Sequence, residues 1–220
     1  MSRTTVWLTH NRARLALHCL RGGEGRPLLL LHGLGEQSPH AVPPWAEPWR
    51  GPVWALDFTG HGESEIPLGG GYSAEILLAD ADHALAHLGT ATVVGRGLGA
   101  YIALMLGGAR AAQVTGTVLL DGPGLFGGAT GPTSNSFVVL PQATTTPDPY
   151  ALHELSKDLR PRDYATLFVR LALEHSGLPT HVSPVTVDAV VRPPWLTAVV
   201  GEVGTVEQSV DEALALYAQF

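Results

Sequence analysis

The 220-residue chain contains one cysteine, Cys19, so it can form no internal disulfide, and a reducing compartment, the cytoplasm, is the expected location. No apolar run approaches the length of a membrane span; the longest strong one, Leu28 to Leu31, is strand-sized. Met1 to Thr5 lacks the apolar core of a signal peptide. Basic residues are in deficit, 13 Lys and Arg against 20 Asp and Glu, and the net charge of −7 argues against nucleic-acid or anionic-membrane partners. Charged residues are only 15% and hydrophobic ones 45%, which describes one globular domain over residues 1–220 with a sizeable core. Cys19 lies in an alternating pattern and reads as a small core residue, not a catalytic thiol.

Alternation from Thr4 to Thr9 and from Leu15 to Leu20 predicts an antiparallel pair turning at Asn11-Arg12. Pro27 to Leu31 and Val53 to Asp57 read as buried strands, with a Pro- and Trp-rich connection at Pro43 to Trp49. Ser73 is placed to cap a helix Ala74 to Leu88 that ends at Gly89. Thr92-Val93-Val94-Gly95-Arg96-Gly97-Leu98-Gly99-Ala100 then reads as a strand, a sharp turn and the start of a helix, and Gly116 to Asp121 as the next strand. Buried strands alternating with helices predict a three-layer α/β/α sandwich around a mainly parallel sheet. Residues 122–194 form a looser, cap-like region: a long Gly/Pro/Thr/Ser-rich loop from Gly122 to Pro149, then helical spacing at Tyr150 to Leu159 and Asp163 to His175. Trp195 to Val200 is expected to be a last strand and Val210 to Phe220 a last helix.

Three motifs sit at successive strand ends: His32-Gly33-Leu34-Gly35, then Asp57-x-x-Gly60-His61-Gly62-x-Ser64, then Gly95-x-Gly97-x-Gly99. In this order they resemble the α/β-hydrolase family, whose nucleophile stands in a G-x-S-x-G elbow. The resemblance implies two oxyanion-hole amides, on Leu34 and Leu98, and a small apolar or acyl-type ligand near His32, Gly33, Leu34, Arg96, Gly97 and Leu98. It also implies a serine where this chain has Gly97, and no other serine has that context; Ser64, Ser134 and Ser136 lie elsewhere. The family acid would follow the strand matching Trp195 to Val200, where Glu202 is the only candidate, and Asp121, after an earlier strand, is a second candidate. The family histidine would follow a further strand, which the chain is expected to lack, stopping one strand and one helix short. The expectation is a family member without hydrolytic activity, needing no cofactor or metal.

Alternatives stay open. The fold could serve as a scaffold for a protein partner, or an unconventional nucleophile could sustain weak ester hydrolysis. Gly95-x-Gly97-x-x-Ala100 with Asp121 also matches a dinucleotide fingerprint, in which Arg96 could meet a phosphate. Asp80, His83 and His87 share a helix face at metal-ligand spacing, read here as a solvated outer face. His61 reads as a structural loop residue, and His153, His175 and His181 have no placed partner. An exposed strand edge at Trp195 to Val200 predicts a homodimer or protein partner there.

Overall fold

The computed structural model describes residues 3–68, 71–128, 140 and 143–220. The first two strands, β1 (Thr4–His10) and β2 (Ala13–Arg21), form an antiparallel hairpin. Its two-residue turn places Asn11 and Arg12 at φ 47° and 66°, the handedness that matches the twist of the paired strands. Next come β3 (Leu28–Leu31), a three-residue 3-10 turn (Pro44–Ala46) and β4 (Val53–Leu56). The helix α1 (Ala74–Leu88) follows, with the Ser73 hydroxyl accepting from the Ile76 amide as its N-cap. Then β5 (Ala91–Arg96) leads into α2 (Leu98–Ala109), and β6 (Val114–Leu120) follows. The remaining elements are α3 (Pro149–Lys157), α4 (Arg162–His175), β7 (Val185–Asp188), α5 (Pro194–Gly201), β8 (Val206–Glu207) and α6 (Val210–Tyr217).

The eight strands form one sheet in the order β1-β2-β4-β3-β5-β6-β7-β8. Pairing is parallel from β4 to β8, and β1 and β2 run antiparallel at one edge. Side chains alternate between two faces, as the strand period requires. Leu29, Leu31, Val93, Leu119, Val185 and Val187 point to the face covered by α1, α2, α4 and α5. Leu28, Leu30, Val53, Ala55, Val94 and Val118 point to the other face. That second face is covered more thinly, by the 3-10 turn, Trp49 and the Ala213, Leu214 and Tyr217 side of α6.

The strand expected at Trp195 to Val200 is the helix α5. Its β-branched content suggested a strand, but Pro193 and Pro194 set up a helical first turn, and Trp195, Leu196 and Val199 bury one helical stripe against the core. As a helix the segment has no strand edge, so the edge pairing expected at Trp195 to Val200 does not exist there. The penultimate strand is β7, and a two-residue strand, β8, lies beyond it. Cys19 is half-buried on β2. Asp80 does not belong to a solvated face: it is fully buried, bonded to His10 Nδ1 at 2.7 Å and to the Thr59 amide at 2.9 Å, while His83 and His87 are exposed. Burial opposes protonation of His10, but the Asp80 hydrogen bond outweighs it and raises the His10 pKa. Ser134 and Ser136 lie outside the described residues. Among the described residues no helix is long and apolar enough to cross a membrane.

Candidate functional site

The centre of the molecule is the turn between β5 and α2. Gly97 adopts φ 59°, ψ −121°, a conformation that costs a side-chain-bearing residue strain. Gly99 lets α2 pack directly on the end of β3, since a Cβ there would come 2.6 Å from the His32 carbonyl oxygen. This close approach brings the first amide of α2, on Leu98, toward the loop after β3, which carries Leu34.

Both amides donate to one atom. Leu98 N lies 2.9 Å and Leu34 N 3.0 Å from the carbonyl oxygen of Pro123. Two backbone donors converging at this distance on a single oxygen are the geometry of an oxyanion hole. Here the oxygen belongs to the chain itself. The same segment fills the space above Gly97, where an added Cβ would overlap the Pro123 oxygen and come 2.6 Å from the Gly122 carbonyl carbon.

The Gly122–Leu125 turn is fastened at both ends. On one side the Asp121 carboxylate accepts from the amides of Val190 at 2.7 Å and Val191 at 3.1 Å. On the other, Leu125 O accepts from Trp195 Nε1 at 2.8 Å and Arg160 Nη1 at 2.7 Å, and Arg160 also donates to Gly124 O. Arg160 is buried over the Tyr101 ring, 5.1 Å from its centroid. Burial pulls its pKa down to about 10, so it remains charged at neutral pH.

Of the two candidate acids, Asp121 borders this centre as an anchor of the turn, and Glu202 is placed apart from it. Glu202 caps the far end of α5, at the end of the sheet opposite the elbow, and pairs with Arg170 at 2.7 Å. The acid ending the penultimate strand is Asp188, which sequence reasoning missed; the Val-Thr-Val-Asp alternation before Pro193-Pro194 was its signal. Its carboxylate accepts from the Val210 amide at 2.8 Å, fastening the start of α6. Gln208 and Ser209 follow β8, and the last histidine of the chain is His181, upstream of β7. No histidine therefore follows either strand.

A strand–elbow–helix turn with two convergent amides, on a mainly parallel sheet ordered in this way, defines one family, and a model of the alpha/beta hydrolase family matches residues 28–219. The chain belongs to the alpha/beta hydrolase family. Among solved structures, a thioesterase domain from the curacin biosynthetic pathway aligns over 100% of this chain and 99% of its own, at 16% identity and TM-score 0.62. A bacterial membrane phospholipase A aligns over 99% of this chain and 85% of its own, at 17% identity and TM-score 0.56. An epoxide hydrolase from Vigna radiata is 23% identical over 54% of this chain, with TM-score 0.44. The chain spans 38% of that hydrolase's length. No curated protein matches.

The family's motif histidine, His32, is buried and holds the loop in place. Its Nδ1 donates to Gly33 O at 2.7 Å, and its Nε2 accepts from the Phe58 amide at 3.1 Å. Burial lowers its pKa to about 4, with neighbouring His61 adding to the shift, so the ring is neutral at pH 7. The motif acid Asp57 accepts from the Ser38 amide at 2.6 Å, the Glu63 amide at 2.7 Å and His18 Nε2 at 3.0 Å. Burial alone would raise its pKa; the bonds from His18, Glu63 and Ser38 outweigh burial and hold the carboxyl well below the usual range. Among the described residues His61 Nε2 is buried without a partner.

The residues expected at a ligand site fall into two groups. Gly33, Leu34, Gly97 and Leu98 gather around the Pro123 carbonyl. His32 and Arg96 instead line a cavity of about 550 Å³ on the thinly covered sheet face, walled by Leu30, Val94, Leu120, Trp45 and prolines. At its rim Arg96 Nη1 stands 3.0 Å from Glu36 Oε1, and Glu36 Oε2 accepts from the Gly33 amide at 2.9 Å. Among the described residues no three metal-ligating side chains lie together.

Proposed function

We propose that this alpha/beta hydrolase family member is a non-hydrolytic protein that retains a binding cavity for a small, largely apolar molecule. One observation carries the reading: the Pro123 carbonyl occupies both oxyanion-hole donors, above a glycine where the family places its serine. A substrate carbonyl could polarise there only after the Gly122–Leu125 turn had moved, breaking bonds to Leu34, Leu98, Arg160 and Trp195. Even then no hydroxyl would be present at the elbow and no histidine would follow the last strands to activate one. The dinucleotide reading draws less support, because the Leu98 amide at the start of α2, which would meet a pyrophosphate, is among those already taken.

The test is incubation with activated esters of short and long acyl chains and, separately, with a fluorophosphonate reagent. Hydrolysis is expected to match a heat-denatured control, and intact-mass spectra should show no adduct. Burst release accompanied by a covalent acyl species would overturn the reading.

A further inference from the structure

The cavity on the second sheet face exists because little covers that face. Between β3 and β4 the chain offers only the three-residue turn Pro44–Ala46, and α6 spans eight residues. Leu30, Val94 and Leu120 consequently present side chains to a space of about 550 Å³, within the range typical of small-molecule sites. Apolar walls of this extent lose dispersion contacts when nothing packs against them, and regain them from hydrocarbon.

The rim decides what kind of molecule fits. Arg96 and Glu36 lie 3.0 Å apart and cancel as point charges, while the half-exposed guanidinium has N–H donors beyond the one on Glu36. His32 is uncharged, and the ionised Asp57 is no part of the lining, its carboxylate oxygens taken by the Ser38 and Glu63 amides and by His18 Nε2. An ion drawn to this rim would shed hydration and meet no net opposite charge. A neutral oxygen could accept from Arg96 at much lower desolvation cost.

We propose that this cavity binds an uncharged aliphatic alcohol or ketone, its chain against Leu30, Val94, Leu120 and Trp45 and its oxygen on Arg96 beside Glu36. This deepens the reading of the protein as a non-hydrolytic binder and rests on it. The absence of a net rim charge separates the ligand class from fatty acids and from amines, which share the same hydrocarbon tail.

Isothermal titration and thermal melting with decanol, decanoate and decylamine at neutral pH test it, with decanol below its solubility limit and the two ions below their micellar concentrations. Decanol should raise the melting temperature and bind at least about tenfold more tightly than either ion, a difference of about 1.4 kcal/mol. Glu36→Gln leaves Arg96 without its counter-charge and should bring decanoate to the affinity of decanol or beyond it. Val94→Phe fills the cavity and should abolish binding of all three; if circular dichroism shows it unfolded, Leu120→Phe on another wall replaces it. The proposal fails if decanol gives neither heat nor a melting shift, if either ion binds more tightly than decanol to the wild type, or if the filling variant still binds. These outcomes are independent of the ester and fluorophosphonate assays, so a non-hydrolytic protein without this ligand class would be recognised as such.

Discussion

Replacing Gly97 by serine should damage the protein and leave it inactive. The new Cβ would overlap the Pro123 oxygen and lie 2.6 Å from Gly122 C, so the turn must retreat by roughly an ångström. Retreat breaks the bonds from Leu34 N and Leu98 N, at 3.0 and 2.9 Å, which leaves two amides short of a partner. Each buried amide left unpaired costs about 1–3 kcal/mol. The positive φ of 59° adds about 1–2 kcal/mol for any residue with a Cβ. The total is about 3–8 kcal/mol, a large part of the roughly 5–15 kcal/mol that holds a domain together. For a chain of this size, at about 3 °C per kcal/mol, that corresponds to a fall of about 10–25 °C in melting temperature. Gly97→Ala should cost nearly as much, because the damage comes from the Cβ and not the hydroxyl. Urea titration and thermal melts of both variants supply the stabilities, and p-nitrophenyl ester turnover supplies the activity. A Gly97→Ala variant melting within about 2 °C of wild type would show that Pro123 does not fill the elbow. Efficient ester turnover by Gly97→Ser would show that a base has been missed.

Four further outcomes follow from the same contacts. Arg160→Ala should lose about 2–4 kcal/mol in urea titration, since it removes the donor to Leu125 O and the cation over Tyr101. Asp57 has a depressed folded pKa, so the stability it contributes is present above its unfolded value, about 4, and is lost as pH falls below it. Asp57→Asn should therefore be less stable at pH 7 by about 2–4 kcal/mol, and its stability should fall less steeply than that of wild type below about pH 4. His32 also has a folded pKa below its unfolded value, so the unfolded state takes up a proton first and stability drops as pH falls from about 6.5 toward about 4. An NMR titration should show its ring resonances unmoved until about pH 4, and a midpoint near 6.5 would refute the burial argument. Finally, Trp195→Ala should cost about 3–5 kcal/mol, whereas Thr197→Lys should change stability by less than about 0.5 kcal/mol. A strand would place residues 195, 197 and 199 on one face and make both changes severe; the helix turns Thr197 outward.

The sequence by itself determined the features that depend on neighbours in the chain. Asn11-Arg12 between two alternating runs specified a hairpin, and Ser73 and Gly89 marked the ends of α1, because turn and cap chemistry is local. The Gly95–Gly99 spacing after a β-branched run located the sharp turn between β5 and α2, with Gly97 at its tip. Tertiary structure decided the rest. Trp195 to Val200 has strand-like composition, yet its first turn follows Pro193 and its burial has helical spacing, so packing against α4 and the core overrode propensity. With that element a helix, β7 is the penultimate strand, and the acid at its end is Asp188 in place of Glu202. The seal on the elbow was out of reach of any local pattern. It joins Pro123 to amides 89 and 25 positions earlier in the numbering, at Leu34 and Leu98, and is held by Arg160 and Trp195 from later elements. Gly122-Pro123-Gly124 carries no periodicity of its own; the Pro123 carbonyl meets the Leu34 and Leu98 amides only where β3, α2 and the end of β6 converge.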